Sequence, residues 1–188
     1  MNIHQLQMSF NAHEDRILLR ILSAERAEFR FWLTRRYVKL LWQVLLKLME
    51  RDPAAAVHAD EKVRRTVLEF QHQNVVSSGE FAKPFEEGTT VFPLGAAPVL
   101  LSRITGKQPQ PQPQSHPHPH PHPQQQLLCL HPEQGQGIDL GVNGELLHMI
   151  SKLLVDAVKQ SDWDINLAID PDFALPQQAE GLPPHQLN

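Results

Sequence analysis

The chain of 188 residues is 41% hydrophobic and 20% charged with a formal net charge of −4, which suits one globular domain of ordinary size and excludes a wholly disordered or fibrous chain. Its single cysteine, Cys129, excludes an intramolecular disulfide and a zinc site built from cysteines. The most apolar run, Tyr37 to Met49, is too short and too regularly interrupted by Lys39, Gln43 and Lys47 to cross a bilayer, and no signal-peptide pattern opens the chain; a cytoplasmic protein without a membrane partner is expected.

His4 to Phe10 alternates, with Leu6, Met8 and Phe10 on one side, and reads as a half-buried strand followed by a turn over Asn11 to Asp15. From Arg16 the period stays at two. Ile17, Leu19 and Ile21 share one face, then Phe29, Phe31 and Leu33 share another, which gives an antiparallel hairpin with Arg16, Arg20 and Arg30 on its outer side. Thr34 is an N-cap for a helix to about Arg51, whose narrow polar stripe is Arg36, Lys39, Gln43, Lys47 and Glu50. Its remaining surface is too broad for one sheet to cover, so the helix should also meet another helix or another subunit.

Asp52-Pro53 is an N-cap followed by a first-turn proline, and it should open a second helix to about Asn74 with Val63, Val67, Leu68 and Phe70 inward. Gly- and Pro-containing residues 77–98 read as irregular connection. Val99 to Ile104 is expected to be one strand. A Pro/Gln/His-rich stretch, 106–126, then interrupts the pattern as a disordered loop insertion, since proline at alternate positions removes backbone donors. Leu127 to Leu130 and Gly137 to Val142 form a second hairpin, and Asn143 caps a helix to about Gln160. Trp163 to Ile169 alternates again and is expected to be an extra strand, while 171–188 is expected to be a flexible tail.

Displacing the sequence by 109 positions lays the first hairpin and helix on the second without a gap. Phe29, Phe31 and Leu33 fall on Ile138, Leu140 and Val142, and the cap Thr34 falls on Asn143. The polar stripe falls on Glu145, His148, Lys152, Asp156 and Lys159, hydrophilic at every position. These correspondences point to an internal duplication, with pseudo-repeats at about 3–51 and 98–160 inside a single domain over 1–170. The fold class that follows is α+β: mainly antiparallel sheet packed against two related helices, with one additional helix.

Charge is distributed unevenly. Residues 1–51 carry nine Lys/Arg against five Asp/Glu, whereas residues 127–188 carry two against nine. The halves therefore either attract each other or present a basic half to an acidic partner.

Three features could carry chemistry. The outer sheet face of the first unit combines Arg16, Arg20 and Arg30 with Trp32, the residue types with which single-stranded nucleic acid is neutralised and stacked. A strand-rich duplicated unit ending in a helix resembles, at the level of topology, the Whirly and PUR-like single-strand binders, without a shared motif and without residues to carry over. The bland alternative is an ordinary face whose arginines pair with Glu14, Asp15, Glu25 or Glu28. The helical stripe with Arg36, Lys39 and Lys47 is a solvated face, an edge that pairs with its duplicate, or a partner surface. In the His-Pro run, His116, His118, His120 and His122 are imidazoles that bind transition metals weakly when no scaffold fixes their geometry.

No phosphate-binding glycine loop, nucleophile elbow or zinc-protease motif is present, and Cys129 is expected to be a buried mid-strand thiol. The expectation is a non-enzymatic, cofactor-free interaction or regulatory module that binds a protein partner or itself. Single-stranded nucleic-acid binding and weak metal binding are the alternatives.

Overall fold

The structure is a computed structural model, and it describes residues 2–51, 56–79, 83–86, 91–107 and 126–169. The first sheet begins with β1 (Ile3–Asn11), β2 (Arg16–Ser23) and β3 (Glu28–Leu33), paired antiparallel in sequence order. The Asn11 side chain closes the first turn by accepting from the amides of His13 and Glu14, and Asp15 takes a positive φ of 47° before β2. Helix α1 (Arg35–Met49) follows, with the Thr34 hydroxyl accepting from the Tyr37 amide.

The second half repeats this element order. β5 (Arg103–Lys107), β6 (Gln126–His131) and β7 (Ile138–Val142) form an antiparallel sheet, and α3 (Gly144–Lys159) follows, capped by Asn143 through the Leu146 amide. The mixed α+β class is as the sequence indicates.

The two halves are interlocked. Helix α1 packs against β5 and α3, while α3 packs against β1. Each helix thus lies on the first strand of the other half's three-stranded unit. Leu19 and Ile21 of β2, Leu41 of α1, Leu128 and Leu130 of β6, Leu140 of β7 and Ile150 of α3 line one shared apolar space. This is why α1 buries Tyr37, Val38, Leu41, Trp42, Leu45, Leu48 and Met49 over most of its circumference. A second helix meets it, as its width requires.

Five expectations need correction. Helix α2 (Glu61–Ser78) starts at Glu61, because Asp60 is the cap whose carboxylate accepts from the Lys62 and Val63 amides. Residues 52–55, including Pro53, lie outside the described residues. The inward side of α2 is also rotated: Leu68 is buried, but Val63 and Phe70 are exposed. Few apolar residues orient this helix, and its polar side turns to the polar stripe of α3, where the rings of His72 and His148 stand 5.5 Å apart.

Val99 to Ile104 is two strands, β4 (Val99–Leu100) and the start of β5. The Leu101 amide donates to the Trp32 carbonyl in the first sheet, and the Ser102 amide donates to the His131 carbonyl in the second. Successive donors serve different sheets, so the ladder breaks there. β4 runs parallel to β3, as a fourth strand of the first sheet.

The strands at the insertion also extend further than expected, through Lys107 and from Gln126. The proposed disordered tract between them, 108–125, and the proposed tail, 171–188, lie outside the described residues.

Finally, Trp163 to Ile169 is not a strand. The Trp163 amide takes the Ser161 hydroxyl, the Ile165 amide takes the Trp163 carbonyl, and the indole N–H donates to Asp15 Oδ1 at 2.5 Å. Its alternation reflects packing, with Trp163 edge-on to Phe10.

Candidate functional site

On the outer face of the first sheet, Arg20 and Arg30 stand directly opposite each other on β2 and β3. Like charges in that register repel. Glu28, nearly inaccessible, resolves the repulsion: one carboxylate oxygen accepts from Arg20 Nε at 2.8 Å and from Arg30 Nε at 2.7 Å. Burial pushes the Glu28 carboxyl up, but the hydrogen bonds and charges of the two arginines outweigh it and hold the group below the usual carboxylate range. Phe85 lies 3.9 Å from the Arg20 guanidinium and Phe92 lies 4.6 Å from that of Arg30. These rings come from the connection after α2, where they stand in the sequence only as isolated phenylalanines in a polar stretch.

Arg16 pairs with Glu14 at 3.4 Å, and Trp32 lies between Leu18 and Leu100 across adjoining strands. The arginines of this face are thus engaged by acids, and two are stacked beneath aromatic rings.

The stripe of α1 is different. Arg36, Lys39, Gln43, Lys47 and Glu50 are all exposed, with Leu40 beside them 39% exposed. Among the described residues none of Arg36, Lys39 or Lys47 takes part in an ion pair. At the C-terminal end of the helix, Lys47, Glu50, Arg51, Ala56 and Arg64 line an open concavity. The middle of the matching stripe on α3 is covered instead, with His148 buried against α2 and Lys152 bonded to Asp156 within the helix, while Glu145 and Lys159 at its ends are exposed. The two helices do not meet through these edges.

A further polar group was visible in the sequence only as a set of residues sharing a sheet face. Two-residue alternation puts Cys129 and His131 on the outer side of β6, and the hairpin register sets Asp139 opposite Cys129. His131 Nε2 and Asp139 Oδ1 are 2.9 Å apart, and the candidate donor atoms of the three residues lie within 4.8 Å of one another. Burial pushes the Cys129 thiol up, aided by its hydrogen bond to Asp139, while the bond from His131 holds Asp139 below its ordinary range. The expected metal residues His116, His118, His120 and His122 lie outside the described residues.

Among the described residues no helix is long and apolar enough to cross a membrane. In comparisons with protein-family models, with curated proteins and with solved structures, nothing matches this chain.

Proposed function

We propose that this protein is a non-enzymatic cytoplasmic interaction module whose docking face is the basic stripe of α1, and that its partner is an acidic helical segment of another protein. The observation that supports this reading is the contrast between the two sets of cations. Arg16, Arg20 and Arg30 are each ion-paired within the fold, the last two sharing Glu28, whereas Arg36, Lys39 and Lys47 project from a single helix without an acidic partner among the described residues.

The shape of the partner follows from the other half. Where α3 carries the corresponding stripe, a helix of this chain, α2, lies across it. Among the described residues no helix lies over the stripe at the centre of α1, with Leu40 available for apolar contact and Lys39 and Lys47 for charge-assisted bonds. Glu50 at one end disfavours an acid there, and so sets the register of the segment.

The test is fluorescence anisotropy with a labelled acidic amphipathic helical peptide, its basic charge-reversed counterpart, and single-stranded RNA and DNA, at low and near-physiological salt. The acidic peptide should bind with one-to-one stoichiometry and lose at least tenfold in affinity in Lys39→Glu/Lys47→Glu, whose positions are exposed and leave the core intact. Absence of peptide binding at low salt overturns the proposal, as does binding unaffected by the double substitution. Preferential, salt-sensitive binding of the oligonucleotides would replace it with nucleic-acid recognition.

A further inference from the structure

Cys129, His131 and Asp139 bring a soft sulfur, an imidazole nitrogen and a carboxylate oxygen together on two adjacent strands. We infer that these three side chains form a binding site for a divalent transition-metal ion of the zinc type. A tetrahedral ion holds such donors at about 2.0–2.3 Å, so they need to stand roughly 3.5 Å apart. The pair formed by His131 Nε2 and Asp139 Oδ1 is already at 2.9 Å, and the whole set lies within 4.8 Å, so small side-chain rotations bring the three into place.

The paired strands hold the donors in a fixed register. Cys129 is paired on both sides, with Thr105 of β5 and Asp139 of β7 directly opposite it. A thiolate and a carboxylate neutralise the charge of a divalent ion, and the imidazole of His131 completes three protein ligands. Cys129 is buried whereas His131 is half-buried and Asp139 exposed, so the ion enters from the solvent side and its fourth position belongs to water or a small ligand. Lys107, two residues along β5 from Thr105, opposes the incoming charge and keeps the affinity moderate. On binding, the thiol proton is released to solvent, one per ion.

Cobalt(II) is the probe, because the chain has only one cysteine and a thiolate-to-cobalt charge-transfer band therefore reports on Cys129 alone. The full chain is titrated both as it stands and with His116, His118, His120 and His122 changed to alanine, which separates this site from the tract. One equivalent of cobalt should produce the band in both proteins, and zinc should bleach it. Cys129→Ser should abolish it, and His131→Ala and Asp139→Asn should each weaken cobalt affinity at least tenfold. A missing band under cobalt excess overturns the inference, as does a band indifferent to His131→Ala and Asp139→Asn. If Cys129→Ser fails to fold, Asp139→Asn decides, because that side chain is exposed.

Discussion

Glu28→Gln is the substitution with the largest expected effect for the smallest change of shape. The carboxylate accepts two charge-assisted bonds, at 2.8 Å and 2.7 Å, from guanidiniums that face each other across β2 and β3 and are only 15% and 29% exposed. An amide keeps one neutral acceptor but leaves two cations opposed without an anion between them. Breaking a buried pair by removing one partner costs about 3–5 kcal/mol. Partial exposure of Arg20 and Arg30 places this case at the lower end, about 3 kcal/mol. With a urea m-value of about 2 kcal/mol/M, the midpoint should fall by about 1.5 M.

The pH dependence gives an independent check. The Glu28 carboxyl is held below its ordinary value of 4.5 in the folded protein. Its stabilisation is therefore complete above that value and is lost as pH falls through the depressed folded value. The wild-type midpoint should drop in this acidic window, and Glu28→Gln should drop less. A shift of the midpoint below about 0.3 M, near the resolution of such measurements, would refute the reasoning, as would parallel acid profiles for the two proteins.

Other sites give separable outcomes. At Gly137 an added Cβ would stand 2.1 Å from the Leu130 carbonyl oxygen, so Gly137→Ala should displace the β6–β7 hairpin and lower the thermal midpoint by several degrees, with loss of the cobalt band if that site is correctly assigned. Gly106→Ala meets the buried Leu48 side chain at 2.8 Å, and the overpacking between β5 and α1 should cost about 1–3 kcal/mol in urea denaturation. Burial holds the His72 imidazole below 6.5, with Glu69 and Asp156 acting to raise it, Lys152 to lower it, and the ring of His148 beside it. Stability from this group is present above 6.5 and lost as pH falls through its folded value, so His72→Phe should flatten the urea-midpoint profile there without altering the acid window of Glu28.

Hairpins, caps and helix partners were legible because each depends on short-range pattern. Alternation in Ile17, Leu19 and Ile21 is enough to set a face, and Thr34 and Asn143 announce their helices by side-chain chemistry. The errors fall where long-range partners decide. Asp60 caps the helix that carries Val63, Val67 and Phe70, and these form a credible apolar stripe, yet Val63 and Phe70 are exposed while Leu68 is buried and His72 lies against His148 of α3. Alternation over Trp163 to Ile169 is real, but the backbone donors of Trp163 and Ile165 are spent locally. At the candidate sites, the sequence placed Arg20 and Arg30 on one face and named Glu28 among their partners. It could not show that one carboxylate serves both arginines, because Phe85 and Phe92 arrive from a segment without periodicity.

The crossed packing of the helices makes the proposed duplication testable. Helix α1 lies on β5 and α3 lies on β1, the reciprocal arrangement that two copies of one strand-strand-strand-helix unit would adopt about a pseudo-two-fold axis. A fragment of residues 1–51 contains β1 to β3 and α1 but lacks the surfaces that cover this helix. Seven side chains of α1 are buried in the whole protein, and exposing even half of their apolar surface would cost on the order of 5–10 kcal/mol, comparable to the stability of a domain. The fragment alone should therefore not persist as a folded monomer. If the halves descend from one unit, a second copy of the fragment can offer its own β1 where β5 normally lies, and sedimentation should show a helical dimer that dissociates and unfolds together on dilution. A folded monomeric fragment would contradict the energetic argument. An unfolded monomer that remains so at high concentration, yet folds on mixing with residues 98–169, would show that the halves are complementary without being interchangeable.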